Sequence, residues 1–200
     1  MNEYKGVAQN WDIIENNQNF IIIANNSGVL HFDGTIWTKI KLNNGASVRS
    51  LEKDEKGTIF VGGDNEFGKL FYNKQGAISY QKLSKEISNQ DLGRIWYTIP
   101  TSDNINFVTR KNIYTLSPNK KIKTTSFPKG LKSFKNIKYG DYIISQLENE
   151  KPKIKYCVIF DGNSFKKIEN SDDYAPIVFF KSNNIDYVVD QTGLIKEINQ

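Results

Sequence analysis

The side chains that most often carry out catalysis or bind metals are scarce in this sequence of 200 residues. His31 is the only histidine and Cys157 the only cysteine, which argues against a histidine-based triad, a multi-histidine metal centre and an internal disulfide. Each lies in an apolar segment, LHF for His31 and KYCVIFDG for Cys157. We therefore predict that both are buried structural residues, and that the protein has no metal site and no cofactor.

Carboxylates offer a second route to catalysis. Glu66 and Asp190 could act as the two carboxyl groups that a glycosidase or lyase places across a pocket. No further acid–base pattern accompanies them in the sequence. We therefore predict that the protein is not an enzyme, and we keep a glycosidase or lyase as the less favoured alternative.

A third group of side chains suits binding without covalent chemistry. Indole rings stack on sugars, while amides, carboxylates and guanidinium groups exchange hydrogen bonds with hydroxyls. The candidate ligand-binding residues are Trp11, Asn25, Asn26, Arg49, Asp64, Glu66, Trp96, Arg110 and Asp190. The competing interpretation is structural, because Asn and Asp are common in turns, tryptophans pack between sheets, and Arg49 can pair with an acidic neighbour.

The elements that must position these residues are short strands arranged in a repeat. The stretch IIIANNSGVLHFDGTIWTKI, residues 21–40, predicts three strands joined by two tight turns. Similar units containing FGKLFYNKQG, KNIYTLSPN, KYCVIFDG and TGLIKEIN follow at intervals of about 40 residues. The only plausible helical turn lies in residues 81–94, and we interpret that segment as a loop.

A repeat of four strands and about 40 residues predicts an all-β fold, the β-propeller. A lone sheet is apolar on both faces, and antiparallel blades packed side by side around an axis cover those faces. We predict a single propeller over residues 1–200, with four-stranded blades at 9–43, 46–84, 92–127, 131–169 and 175–199. The last blade has only three strands, which favours part of a seven-bladed propeller; a five-bladed ring closed by the N-terminus is the alternative.

The predicted blades place the candidate binding residues at one end of the sheets. In an antiparallel blade, the loop between the second and third strands lies beside the start of the first strand. The loops carry the candidate Asn, Asp and Glu residues and Arg110, while Trp11, Arg49 and Trp96 begin innermost strands. We therefore hypothesise a carbohydrate or peptide contact surface at this rim.

The net charge of +5 comes mostly from dispersed lysines, since only three of the 27 basic residues are arginine. Phosphate-binding surfaces concentrate charge and favour arginine, so we predict no nucleic-acid partner. The sequence contains no run of eighteen apolar residues. Its first ten residues, MNEYKGVAQN, lack the apolar core of a secretory signal.

Blades one and two carry a family resemblance. The second blade has the pattern Asp-x-x-Gly-x-hydrophobic-aromatic-hydrophobic-Gly at Asp54, Gly57, Phe60, Gly62 and Gly63. The first has Gly-hydrophobic-x-x-aromatic-Asp-Gly at Gly28, Val29, Phe32, Asp33 and Gly34, followed by Trp37. These motifs resemble the two-component regulator propeller repeat, and the later blades keep mainly its strand spacing.

The resemblance implies a non-catalytic sensor segment from the periplasmic region of a bacterial regulator of the hybrid two-component or triple-tyrosine type. In that family two seven-bladed propellers precede a membrane helix and an output module, so a membrane would be reached only through downstream parts. The implied partners are an oligosaccharide or other small ligand, and a second copy in a homodimer formed through the propeller. A protein-interaction scaffold is the alternative from another class.

Overall fold

The computed structural model describes residues 4–87, 91–149, 154–169, 171–172, 176–183, 185–190 and 192–198. Within these residues the chain forms nineteen β-strands in five sheets, one short 3-10 helix and no α-helix. The described part of the chain also contains no helix with the length and hydropathy needed to cross a bilayer.

The strands of each sheet follow one another in sequence order. The first sheet contains β1 (Asn10–Glu15), β2 (Ile21–Asn25), β3 (Gly28–Phe32) and β4 (Trp37–Ile40). The second contains β5 (Val48–Lys53), β6 (Ile59–Gly63), β7 (Phe67–Tyr72) and β8 (Ile78–Lys82). The third contains β9 (Tyr97–Pro100), β10 (Ile105–Val108), β11 (Asn112–Leu116) and β12 (Ile122–Ser126).

The fourth sheet contains β13 (Lys132–Tyr139), β14 (Tyr142–Asn149), β15 (Ile154–Phe160) and β16 (Phe165–Lys167). The fifth has three strands, β17 (Pro176–Ser182), β18 (Ile185–Asp190) and β19 (Ile195–Ile198). The strands of each sheet lie inside the five ranges predicted for blades. The loop interpretation of residues 81–94 is wrong in part, because Ser84–Ile87 forms the 3-10 helix.

The hairpin turns explain why the strands are so short. In the β5–β6 turn, Asp54 Oδ1 accepts hydrogen bonds from Lys56 N (3.0 Å) and Thr58 N (2.7 Å), and Gly57 has φ of 82°. Asn73 and Gly76 repeat this arrangement between β7 and β8, with φ of 78° at the glycine. The side chain therefore stabilises a turn whose left-handed position suits glycine.

The chain divides into two compact units, one formed by Met1–Thr109 with Leu116–Ile122 and the other by Arg110–Thr115 with Lys123–Gln200. A single propeller over residues 1–200 therefore stays a prediction. The core of the first unit lies between the first two sheets. Its buried members are Ile22, Ala24, Val29, Ile40, Leu42, Val48, Leu51, Ile59, Val61 and Leu70.

The opposite face of the second sheet carries Phe67, which stacks on Phe107 of β10 at a centroid distance of 4.0 Å. His31 is also buried in the first unit, as predicted. In the second unit Cys157 is buried, again as predicted. Phe165 contacts both Phe127 and Phe160 there, at centroid distances of 4.8 and 5.0 Å.

Candidate ligand-binding site

β-Bulges at the starts of β1 and β5 set the direction of two candidate residues. Asn10 pairs with Asn25 and Asp12 with Ala24, so Trp11 is the extra residue in β1. In β5 the same register shift falls between Val48 and Ser50, which makes Arg49 the extra residue. Because a bulge re-aims the side chain that it leaves unpaired, Trp11 and Arg49 project at corresponding positions of the two sheets.

Trp11, Arg49 and Trp96, here called the Trp-Arg-Trp cluster, are brought together in the first unit. The Arg49 guanidinium carbon lies 4.2 Å from the centroid of Trp11 and 5.6 Å from that of Trp96. The two indoles meet edge to face at 5.9 Å. At these distances the guanidinium is attracted by both aromatic faces.

Asp64 fixes the cation of this cluster. Arg49 Nε donates to Asp64 Oδ1 at 3.2 Å, and Nη2 donates to Oδ2 at 3.3 Å. The Arg49 side chain is 9% exposed and that of Asp64 is 30% exposed. This forked pairing holds the guanidinium plane in one orientation.

Asn26 accepts a hydrogen bond from the Trp11 indole and so helps to fix its position. Trp11 Nε1 donates to Asn26 Oδ1 at 2.7 Å, and Asn26 Nδ2 donates to Gln9 Oε1 at 3.1 Å. Trp11 nevertheless keeps 39% of its surface exposed. The cluster therefore presents aromatic surface beside amide, carboxylate and guanidinium groups, which can stack on a ring and exchange hydrogen bonds with hydroxyls.

Five of the nine predicted site residues thus lie together: Trp11, Asn26, Arg49, Asp64 and Trp96. The structural alternative for Arg49 is also realised, although its partner Asp64 directly follows β6 of the same blade rather than belonging to a neighbouring blade. Whether these residues bind a ligand stays a prediction.

Asn25 is not displayed at the rim, contrary to the sequence-based expectation, because it is fully buried. Its Nδ2 donates to Val7 O (2.7 Å) and Gln9 O (3.0 Å), and its Oδ1 accepts from Val7 N (3.1 Å). The side chain therefore holds the N-terminal segment against the first sheet and is unavailable to a ligand.

Glu66 also turns inward, with no exposed surface. Its Oε2 lies 3.3 Å from Lys82 Nζ, an ion pair without hydrogen-bond geometry, and its Oε1 accepts a long bond of 3.4 Å from Asn44 N. Burial of Tyr80, and secondarily the charge of Glu66, raises the pKa of the Tyr80 phenol. Glu66 is therefore a buried charge that packing encloses, not a rim residue.

The remaining two candidates belong to the second unit. Asp190 is buried, and its Oδ1 accepts from Thr192 N (2.8 Å) and Leu194 N (3.1 Å), which makes it a turn residue between β18 and β19. Arg110 is exposed, with its guanidinium carbon 4.4 Å from the centroid of Phe134.

Two residues near the cluster were missed by the sequence analysis. Gln9 accepts from Asn26, and Arg94 Nε lies 3.7 Å from Asp64 Oδ1. Arg94 is one of only three arginines and stands two residues before Trp96, a spacing that puts both side chains on one side of an extended segment. The spacing of Arg94 and Trp96 can be read from the sequence, whereas the isolated backbone bridge between Asp64 and Arg94 cannot.

Across the described residues, no three His, Cys, Asp or Glu side chains gather in a way that could hold a metal ion.

Comparison with known proteins identifies the fold but not a family. No family model matches the sequence, and no curated protein matches it. Among solved structures, the extracellular domain of the hybrid two component system BT3049 from B. thetaiotaomicron has a TM-score of 0.60 at 13% identity. The match covers 96% of this chain, but the chain spans only 28% of that domain.

Proteins of other classes have the same fold. Virginiamycin B lyase from Staphylococcus aureus has a TM-score of 0.59 at 14% identity, over 94% of this chain and 69% of the lyase. YCF48 bound to D1 peptide has a TM-score of 0.57 at 10% identity, over 99% of this chain and 66% of YCF48. These neighbours are propeller folds, so the sheets described above are propeller-like blades.

Proposed function

We propose that this chain is a non-catalytic, ligand-sensing propeller segment of a bacterial signal-transduction regulator, and that its ligand is a saccharide. The observation that carries the proposal is the Trp-Arg-Trp cluster, in which two indoles and a fixed guanidinium lie beside Asp64 and Asn26. Sugars are bound by such combinations because their apolar ring faces stack on aromatics while their hydroxyls need polar partners.

The finer features of the proposal come from the motifs of blades one and two. A sensor with the two-component regulator propeller repeat would be part of a seven-bladed propeller, would act in the periplasm and would pair with a second copy. The extracellular domain of BT3049 supports this reading by its fold. Fold similarity alone does not determine function, so binding of the ligand is tested directly.

Calorimetric titration with a panel of neutral oligosaccharides tests the ligand. We expect saturable binding by the native chain, and loss of binding in Trp96→Ala. Trp37→Phe is the matched control, because Trp37 stacks on Phe32 (4.8 Å) and contacts Tyr4 (5.3 Å) rather than the cluster. Binding that survives Trp96→Ala would exclude this surface as the saccharide site.

A lyase is the second candidate, since a solved lyase shares the fold. Its test is product formation: we expect every saccharide of the panel to be recovered intact after prolonged incubation with the chain. A scaffold is the third, favoured by the peptide complex of YCF48. Binding of a peptide at the cluster, with no saccharide bound, would favour the scaffold over the sensor.

A further inference from the structure

Arg94 has a position unlike that of the other arginine at the cluster. The Arg49 side chain is 9% exposed and commits Nε and Nη2 to Asp64, whereas the Arg94 side chain is 59% exposed. Within the described part of the chain, neither terminal nitrogen of Arg94 takes part in a hydrogen bond. Arg94 therefore keeps a pair of terminal donors that a ligand at this surface could use.

Asp64 accepts hydrogen bonds from Arg49 but not from Arg94. The carboxylate accepts the two bonds of the Arg49 fork at 3.2 and 3.3 Å, while Arg94 Nε stays 3.7 Å away, beyond hydrogen-bond distance. Two guanidinium groups and one carboxylate leave an excess positive charge at the site. That charge lies beside an aromatic surface, since the Arg94 guanidinium carbon is 5.9 Å from the centroid of Trp96.

We propose that Arg94 binds the carboxylate of an acidic saccharide, a uronic acid residue, whose ring stacks on the exposed indole surface of the cluster. A planar guanidinium with two adjacent N–H donors matches the two oxygens of a carboxylate, and such charge-assisted pairs are stronger than neutral hydrogen bonds. This inference rests on the proposed saccharide-binding function and adds the charge class of the ligand.

Oligogalacturonate and its fully methyl-esterified form provide a matched pair of probes, because esterification removes the charge and leaves the sugar ring. We expect the native chain to bind the free acid about tenfold more tightly than the ester, a difference of about 1.4 kcal/mol. Added salt should weaken the binding of the acid, since Arg94 is exposed and its charge is screened.

Substitutions test whether Arg94 causes the preference for the free acid over the ester. Arg94→Gln should reduce affinity for the acid to that for the ester without changing the affinity for the ester. Arg94→Lys should lose part of the preference, because an ammonium group cannot make a forked pair. Lys56→Gln, which removes one positive charge at an exposed turn, is the control and should leave both affinities unchanged.

The outcomes separate this inference from the function on which it rests. Equal binding of acid and ester, or a preference for the acid that persists in Arg94→Gln, overturns the role of Arg94 and leaves saccharide binding intact. Failure of both probes and of the neutral panel to bind overturns the proposed function, and the inference with it.

Discussion

Glu66 and Lys82 show how a single buried charge constrains this chain. The Glu66 carboxylate has no exposed surface, and Lys82 Nζ at 3.3 Å is the cation that compensates it. We expect Lys82→Met to lower the free energy of unfolding by about 3 kcal/mol, because removal of one partner leaves a buried charge unpaired.

Urea denaturation measures this cost. The double variant Lys82→Met with Glu66→Gln should recover most of the lost stability, since the charge is then absent. Lys41→Met, at an exposed position, serves as the control. A cost in Lys82→Met no larger than in the control would contradict the role given to the ion pair.

His31 gives a pH dependence that can be measured at one residue. Burial lowers the pKa of His31, and the negative charge of Asp33 opposes that shift in part. As the pH falls below the usual histidine pKa of about 6.5, the imidazole is protonated in the unfolded chain before it is protonated in the folded chain. The contribution of neutral His31 to the free energy of unfolding is therefore full above that pH, and it is lost as the pH falls towards the pKa of the folded state.

The single imidazole can be followed by NMR during a pH titration. We expect its pKa to lie below the usual value, and His31→Gln to remove the associated loss of stability. A folded-state pKa at or above the usual value would contradict the burial argument.

Gly57 and Gly76 lie at equivalent turns, and their substitution distinguishes the cost of backbone strain from the cost of a steric clash. Both have positive φ. A Cβ added at Gly57 would clash with the Asn17 side chain, whereas no atom lies within 4 Å of a Cβ added at Gly76. Gly76→Ala should cost about 1 kcal/mol from the backbone alone, and Gly57→Ala should cost more. Thermal denaturation compares them; equal losses would show that Asn17 moves aside without cost.

At the residue scale, the sequence predicts structure where the interactions are local. Asp54 and Gly57 specify their turn through their own backbone bonds, so the turn could be predicted. Asn25 and Glu66 could not be placed, because the direction of their side chains depends on Val7 and Lys82, which are distant in sequence.

At the scale of elements, one strand illustrates the difference between packed and open positions. Phe67 and Phe71 both belong to β7 and point to one face, yet Phe67 is fully buried against Phe107 and Phe71 is 40% exposed. We expect Phe67→Ala to cost about 4 kcal/mol and Phe71→Ala about 1 kcal/mol or less. Urea denaturation tests this, and similar costs would contradict the packing of β7 on β10.

The bulges mark the limit of what a strand pattern predicts. The repeat placed Trp11 and Arg49 at the starts of innermost strands, but it did not reveal that they are extra residues in those strands. A register shift depends on how two strands pair, here at Asn10–Asp12 and Val48–Ser50. It is therefore invisible in either strand alone, although it decides where the two candidate side chains point.

At the scale of the whole molecule, the repeat was sufficient to predict an all-β chain whose antiparallel sheets resemble propeller blades. Four-stranded units recurring about every 40 residues have few ways to cover both faces of each sheet, and the solved structures with this fold agree. The same fold occurs in the extracellular domain of a hybrid two component system, in a lyase and in a protein solved with a bound peptide, so the fold alone does not assign a function.

Tryptophan fluorescence of the Trp37→Phe chain tests the central claim most directly, because Trp11 and Trp96 are then the only indoles that emit. Titration with the oligosaccharide panel should produce a saturable change in emission for at least one member, as a sugar ring covers the exposed indole surface. Emission that stays constant with every saccharide, while the chain remains folded, would contradict the assignment of the Trp-Arg-Trp cluster as the binding surface.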